Sequence, residues 1–290
     1  MPELPEIETL AQGLRKVVQG KTIKNLEIFE KKQFKGTAQE LKKFVYKKKI
    51  KAINRKAKWL MIELSSGYSF IVHLRMTGQL LYQKNKKSSF LGGHTPGNEI
   101  ITYPNSHTRI IFNFTDNSQL FFQDQRKFGY IQLYSPQEVS DYFTSRDLGL
   151  EPLDKNFTFE YFNDQLKRRS RTSIKAALLN QSVLSGIGNI YADDICWTAK
   201  VRPTRKVGTL TISEKKALHV ASKKIIQQAI KLGGTTFSHY LQVDGKLGQY
   251  WKYRKVYGRT NEPCRKCKTP IKKIRTAGRG THYCPQCQPA

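Results

Sequence analysis

Acidic residues are scarce in this chain. There are 22 Asp and Glu against 51 Lys and Arg in 290 residues, a formal charge of +29. Solubility needs far less, and the physical use of such an excess is a polyanionic partner, because each phosphate neutralised releases a counterion. No apolar run reaches the roughly eighteen residues of a membrane span, and no charged-then-apolar leader is present. Neither a transmembrane segment nor a secretory signal is therefore supported, and an anionic membrane surface is the weaker account of the charge. Internal repeats are absent, as are low-complexity tracts beyond lysine-rich patches. Cysteine is rare, and four of the five fall in two CxxC pairs. That excludes a disulfide framework and fits a reducing compartment. Aromatics, at 11%, are too many for a disordered basic tail. Composition thus points to a folded nucleic-acid-binding protein, long enough for two domains and a small metal module.

Cys264, Cys267, Cys284 and Cys287 form the strongest single motif. Zinc takes four thiolates tetrahedrally, CxxC presents two sulfurs from one turn, and Lys268 to Tyr283 is long enough for one β-hairpin. A closed four-thiolate shell is structural, so no catalysis is assigned to the metal, and His282 is not needed as a ligand. A redox dithiol reading fits two paired motifs less well. Arg275 and Arg279, beside Gly278 and Gly280, fall on the hairpin, where phosphate contact and an ordinary solvated charge run are equally good readings. Cys196, between Ile195 and Trp197, reads as a small buried hydrophobe.

The other end of the chain reads Met1-Pro2-Glu3-Leu4-Pro5-Glu6. Removal of Met1 would expose a secondary amine, a nucleophile able to form an iminium ion with a sugar aldehyde carbon. Glu3 beside it is a candidate acid for protonating a departing base. On six residues alone, an ordinary N-terminus with a capping acidic residue is the better reading.

Periodicity organises what lies between. Residues 5 to 18 carry Ile7, Leu10, Ala11, Leu14, Val17 and Val18 at helical spacing. From Thr22 to Tyr134 short strands alternate with turn clusters, predicting a β-sandwich with strands at 59–64, 70–74, 109–114 and 119–122. The polar stretch Gln83 to Thr108 predicts a long surface loop. After Ser135-Pro136 the pattern turns helical to about Leu232, with Ser213 as a candidate N-cap and Gly233-Gly234 as the stop. Gly186-Ile187-Gly188-Asn189 interrupts two helical runs as a tight turn whose bare amides suit a phosphate, although a lone GxG is weak evidence.

Several motifs occur together and in order: MPELPE, Arg55-Lys56-Ala57-Lys58-Trp59-Leu60, His73-Leu74-Arg75-Met76-Thr77-Gly78, Arg126-Lys127-Phe128-Gly129, Gly186 to Asp193, and Gly278 to Cys287. Across essentially its whole length the chain resembles the bacterial formamidopyrimidine-DNA glycosylases, of the helix–two-turn–helix family. The resemblance implies that Pro2 is the nucleophile forming a Schiff base with C1′ of a damaged nucleotide. Glu3 would be the acid, Glu6 a lesion-pocket residue, and Lys58 a catalytic phosphate ligand. Asn189 and Arg279 would bind phosphate, Arg279 and Lys58 also standing as proton-donor candidates. Met76, Arg126 and Phe128 would fill the space left by the extruded base, with His107 a further DNA contact and Lys175 approaching the lesion. Taken singly, each wedge residue reads as core packing or strand surface. A base in a duplex must be flipped out before its glycosidic carbon is reached, and an apolar wedge offsets part of the unstacking cost.

The fold expected from this resemblance is α+β and multidomain. Residues 1–135 would form a catalytic β-sandwich with flanking helices, 136–235 a helix–two-turn–helix domain, and 236–290 a lesion-capping loop and zinc finger, with DNA in the basic cleft. The expected activity is excision of oxidised purines followed by β- and δ-elimination at the abasic site. One structural zinc ion, double-stranded DNA carrying an oxidised base or abasic site, a monomer, and a bacterial cytoplasm at the nucleoid complete the expectation. Two departures stand out: the Gln83–Thr108 loop is long, and Asn180 replaces the usual acidic residue before Gln181. The rivals are an endonuclease VIII-type enzyme for oxidised pyrimidines and a non-catalytic zinc-ribbon binding protein.

Overall fold

The computed structural model describes residues 1–85, 93–94, 103–235, 240–241 and 248–290. They form two compact units, Met1–Ser145 with Leu232–Trp251, and Arg146–Lys231 with Lys252–Ala290.

The first unit opens with α1 (Leu4–Val18), whose Ile7, Leu10, Ala11, Leu14 and Val18 are buried along one face. Pro5 sits in the first turn, where its missing N–H costs nothing, and Arg15 and Lys16 in the last turn complement the helix dipole. The strands are β1 (Ile23–Ile28), β2 (Phe34–Lys35), β3 (Ile50–Lys56), β4 (Trp59–Leu64), β5 (Ser69–His73), β6 (Gly78–Gln83), β7 (Gly93–His94), β8 (Thr108–Phe114), β9 (Gln119–Asp124) and β10 (Tyr130–Tyr134). Between β2 and β3 lie the short α2 (Ala38–Glu40) and a π turn, Leu41–Val45. One sheet has the order β1-β8-β9-β6, the other β2-β10-β5-β4-β3. All these pairings are antiparallel except β2 with β10.

The two sheets face each other across one core. Leu60, Ile62, Phe70 and Val72 of one meet Leu80, Ile110, Phe112 and Phe122 of the other, with α1 closing one side. This is the sandwich expected from the alternating pattern, and β4, β5, β8 and β9 fall within two residues of their predicted places. α3 (Pro136–Thr144) follows, its N-terminus satisfied by a capping box of Ser135 and Glu138. Most of the expected 83–108 loop, 86–92 and 95–102, lies outside the described residues. Its β7 pairs antiparallel with β11 (Tyr240–Leu241), although 147 positions separate Gly93 from Tyr240.

The second unit is helical, with α4 (Phe159–Lys167), α5 (Ile174–Leu179), α6 (Asn189–Thr198) and α7 (Ile212–Lys231). Thr158 and Ser173 cap α4 and α5. The cap of α7 is Thr211 rather than Ser213. Its hydroxyl accepts from Glu214 N–H at 3.2 Å while the Glu214 carboxylate accepts from Thr211 N–H at 2.8 Å, so the reciprocal pair forms two residues earlier. After α8 (Tyr250–Tyr253) comes the hairpin of β12 (Lys272–Thr276) and β13 (Arg279–Tyr283). The units therefore cut the chain differently from three consecutive segments, because Leu232–Trp251 packs with the first unit. Among the described residues no helix is long and apolar enough to cross a membrane.

Candidate active site and nucleic-acid interface

Pro2 is half-buried at the head of α1, and Glu3, 3% exposed, is the extended residue before the helix. Glu3 N–H donates to Glu6 Oε2 at 2.8 Å, and Glu6 Oε1 accepts from the Thr235 N–H at 2.7 Å. One buried carboxylate thus bridges the N-terminal turn and the segment after α7. The bridge requires glycine at 234, which has φ +73° and where a Cβ would lie 3.0 Å from Glu6 Oε1. Thr235 pairs with Gln249, and Gln249 N–H and Tyr250 N–H reach Leu232 O and Gly234 O at 2.8 and 3.1 Å. The base of the expected capping loop is therefore closed, while 236–239 and 242–247 lie outside the described residues.

Lys58, 6% exposed, occupies the turn between β3 and β4 together with Ala57, which adopts φ +51°. Arg55 ties this turn to α1, its Nε donating to Glu8 Oε2 at 2.9 Å and its Nη1 to Ala57 O at 3.1 Å. Burial opposes ionisation of Glu8, but the Arg55 hydrogen bond and charge prevail and hold its carboxyl below the usual range. The turn carrying Lys58 is thus anchored electrostatically to the helix that follows Pro2 and Glu3.

Met76 and Phe128 are 45% and 54% exposed, unusual for large apolar side chains and incompatible with the core reading. The Arg126 guanidinium carbon lies 4.8 Å from the Phe128 ring centroid, which holds the cation against the exposed ring. His107 is exposed just before β8.

In the second unit Gly188 caps α6 in extended conformation, with Asn189 as the first helical residue. Asn189 Nδ2 donates to Gly280 O at 3.1 Å, fixing its side chain against the hairpin. Arg279 is exposed next to a turn in which Ala277 and Gly278 both have positive φ, the form that matches hairpin twist. The expectation that Lys175 approaches the lesion needs correction. Lys175 is fully buried, and Nζ donates to Asp193 Oδ1, Thr281 Oγ1 and Gly280 O at 2.6, 2.8 and 3.1 Å. An ammonium has three donors and all three are engaged within the protein.

The four cysteine sulfurs lie within 4.8 Å of one another, with spacings of 3.9, 3.4 and 3.5 Å for the 264–287, 267–284 and 267–287 pairs. A tetrahedron with Zn–S bonds of about 2.3 Å has sulfurs roughly 3.8 Å apart, so the donor set fits zinc. Backbone N–H groups of Lys266 and Cys287 point at Cys264 and Cys284 sulfurs at 3.4 Å, as thiolates favour. Cys264, Cys267, Cys284 and Cys287 form a structural zinc site, backed by a core of only Val256 and Ile271 with part of Trp197.

Three family models account for most of the chain. The formamidopyrimidine-DNA glycosylase N-terminal domain matches residues 1–131, the H2TH domain of the same enzymes 148–240, and a zinc finger found in FPG and IleRS 261–290. The chain belongs to the formamidopyrimidine-DNA glycosylase family. The formamidopyrimidine-DNA glycosylase of Listeria monocytogenes serovar 1/2a is 39% identical over 290 residues, covering 99% of this chain and 100% of the relative. That of Streptococcus pneumoniae serotype 4 is 36% identical over 288 residues, 99% of each. Among solved structures, a Lactococcus lactis FPG mutant complexed with Fapy-dG containing DNA superposes with TM-score 0.87 at 34% identity, over 100% of both chains. The Lactococcus lactis Fpg with an abasic site containing DNA gives 0.86 at 34% identity, over 99% of this chain and 100% of that one. The family architecture, an N-terminal β domain with helices followed by an H2TH domain and a four-cysteine zinc finger, is the one found here.

Sequence reasoning missed the buried partners within this family frame. Asp193 stands in a quoted motif yet carried no role there, and Asp124, Gln33 and Thr281 were not singled out. Nothing local announces them, because their partners lie as far as 106 positions away.

Proposed function

We propose that this protein is a bifunctional DNA glycosylase and AP lyase of base excision repair that removes oxidised purines, formamidopyrimidines and 8-oxoguanine, from double-stranded DNA. The carrying observation is Pro2 beside a buried Glu3 at the head of α1, in a chain of this family. In the chain as numbered, Pro2 nitrogen is an amide, so the nucleophile forms when Met1 is removed. The free amine attacks C1′, and the bond from C1′ to the base breaks as Glu3 supplies a proton toward the departing group. The C1′–O4′ bond then breaks, O4′ taking up the proton that the Pro2 nitrogen gives up, and an iminium links Pro2 to the opened sugar. Loss of a C2′ proton expels the 3′ phosphate, and a second elimination expels the 5′ phosphate. Lys58, Asn189 and Arg279 hold phosphates beside the lesion, and Glu6 lines its pocket. Met76, Arg126 and Phe128 occupy the vacated stack, with His107 a further contact. The zinc ion holds the hairpin that presents Arg279 and takes no part in bond breaking.

Double-stranded DNA with an oxidised base or abasic site is the partner, the enzyme acting as a monomer. The Lactococcus lactis complexes carry Fapy-dG, an abasic site and an oxidised pyrimidine in their DNA, which supports lesion binding across these classes. The relatives are bacterial. The place of action is the cytoplasm at the nucleoid, where thiolates stay reduced. Borohydride should trap the protein covalently on duplexes containing an abasic site or 8-oxoguanine, with the adduct mapped to Pro2. Trapping by Pro2→Gly at the wild-type rate, or an adduct at a lysine, would refute the assignment.

A further inference from the structure

Four exposed residues of the first unit, assigned above to DNA contact, come from three separate segments. Met76 lies in the β5–β6 turn, His107 in the approach to β8, and Arg126 and Phe128 between β9 and β10. Exposed loops hold positions to a fraction of an ångström only when something beneath fixes them. All three segments meet at one residue, Asp124, the last of β9, whose exposure is 0%.

Its side chain gathers two of them. Asp124 Oδ1 accepts the Thr77 hydroxyl, and Oδ2 accepts Gly129 N–H at 2.7 Å and Gln33 Nε2 at 2.9 Å. Thr77 Oγ1 in turn accepts Arg126 N–H at 3.1 Å, so one hydroxyl links the turn of Met76 to the backbone of Arg126. Gln33 Nε2 donates also to Gly129 O at 2.7 Å, closing the far side of the 125–129 turn. The Asp124 backbone gathers the third segment. Its N–H donates to His107 O at 2.9 Å, and its carbonyl accepts Arg109 Nε at 2.8 Å. Glycine at 129 permits this closeness, since a Cβ there would lie 3.0 Å from His73 O and 3.2 Å from Asp124 Oδ2.

We infer that Asp124, acting through Thr77, is a positioning residue that sets Met76, His107, Arg126 and Phe128 in one arrangement for filling the gap left by an extruded base. Asp124 touches no DNA itself. A buried carboxylate is costly unless its lone pairs are taken, and here three donors from three separate elements take them. Displacing one wedge segment therefore disturbs the others. The inference rests on the wedge assignment of the proposed function, and the test separates the two.

Asp124→Asn puts an amide N–H against existing donors and risks the fold, so the informative variant is Thr77→Val, which keeps shape and deletes the hydroxyl. Single-turnover rates are measured on a duplex with a paired 8-oxoguanine and on one with a pre-formed abasic site, alongside melting temperature. Thr77→Val should slow excision of the paired lesion about tenfold, the scale of one hydrogen bond to a charged group, with a much smaller loss on the abasic duplex. Thr77→Ser should restore the ratio of the two rates, because it returns the hydroxyl. Phe128→Ala is the control and should lose activity on both duplexes, far more on the paired lesion. If Phe128→Ala shows that contrast while Thr77→Val loses both rates equally, or neither, the positioning role is overturned and the wedge stands. If Phe128→Ala shows no contrast, the wedge assignment fails and takes this inference with it.

Discussion

Lys175 Nζ lies 2.6 Å from Asp193 Oδ1 with neither side chain exposed, and the same ammonium and Asn189 Nδ2 both donate to the carbonyl of Gly280. The other Asp193 oxygen accepts from the backbone N–H of His282 at 2.8 Å. This buried pair fastens α5 and α6 to β13, and Gly280 adjoins Arg279. The pair therefore sets the spacing between two proposed phosphate ligands without meeting a phosphate.

Lys175→Met should lower the melting temperature, because an unpaired Asp193 left in the interior costs roughly 3–5 kcal/mol. DNA affinity should fall with little change in its salt dependence. A clear loss of salt slope at unchanged stability would mean that Lys175 reaches phosphate after all.

Arg279→Ala should do the reverse. Arg279 is exposed, so stability and zinc content should hold while the slope of log affinity against log salt shrinks by about one phosphate's worth, roughly 0.9. Fluorescence anisotropy across a salt series on an abasic duplex measures both variants.

Chelation or Cys267→Ser should unfold the hairpin region and weaken binding to all duplexes, since its core is too small to stand without metal. Cys196 gives an internal control. Burial first, then the neighbouring Asp193 charge, push its thiol well above the ordinary range. Mass spectrometry after alkylation at pH 8 should find Cys196 unmodified in the zinc-loaded protein and the other four opened by chelator. Early labelling of Cys196 would contradict the packing of α6.

Gly234→Ala should impair excision more than duplex binding. It strains a residue at φ +73° and presses a methyl against Glu6 Oε1, disturbing the carboxylate that holds both Glu3 and Thr235. Equal kinetics for variant and wild type would show that the loop base tolerates the shift.

Acid stability carries a smaller signature. Burial works against Asp116, but hydrogen bonds from Lys21 and Ser118 outweigh it and bring its carboxyl from 3.8 to about 2. A depressed carboxyl stabilises the fold above its unfolded value and loses that contribution as pH falls through about 2. The Asp116 side chain is 50% exposed, so solvent screening keeps the effect below about 1 kcal/mol. Lys21→Met should therefore lower stability slightly at pH 5 and leave it unchanged near pH 1.5, as read by urea titration.

The sequence by itself determined the parts whose physics is local. The period of Ile7, Leu10 and Leu14 makes α1 amphipathic, alternation around Leu60 and Ile62 makes β4, and the spacing of four cysteines makes a zinc site. The motifs containing Pro2, Lys58, Phe128, Asn189 and Arg279 placed the chain in its family. Tertiary structure decided what depends on partners far along the chain. It buried Lys175, whose three donors find Asp193, Thr281 and Gly280, although the family resemblance implied that this lysine approaches the lesion. It returned Leu232–Trp251 to the first unit through Glu6 and Thr235, and it exposed Phe128, which taken singly reads as core packing or strand surface. It also collected three wedge segments on Asp124. Hydrophobic period is written in each short stretch, whereas the satisfaction of a buried charge depends on donors that only the folded chain brings within hydrogen-bond reach.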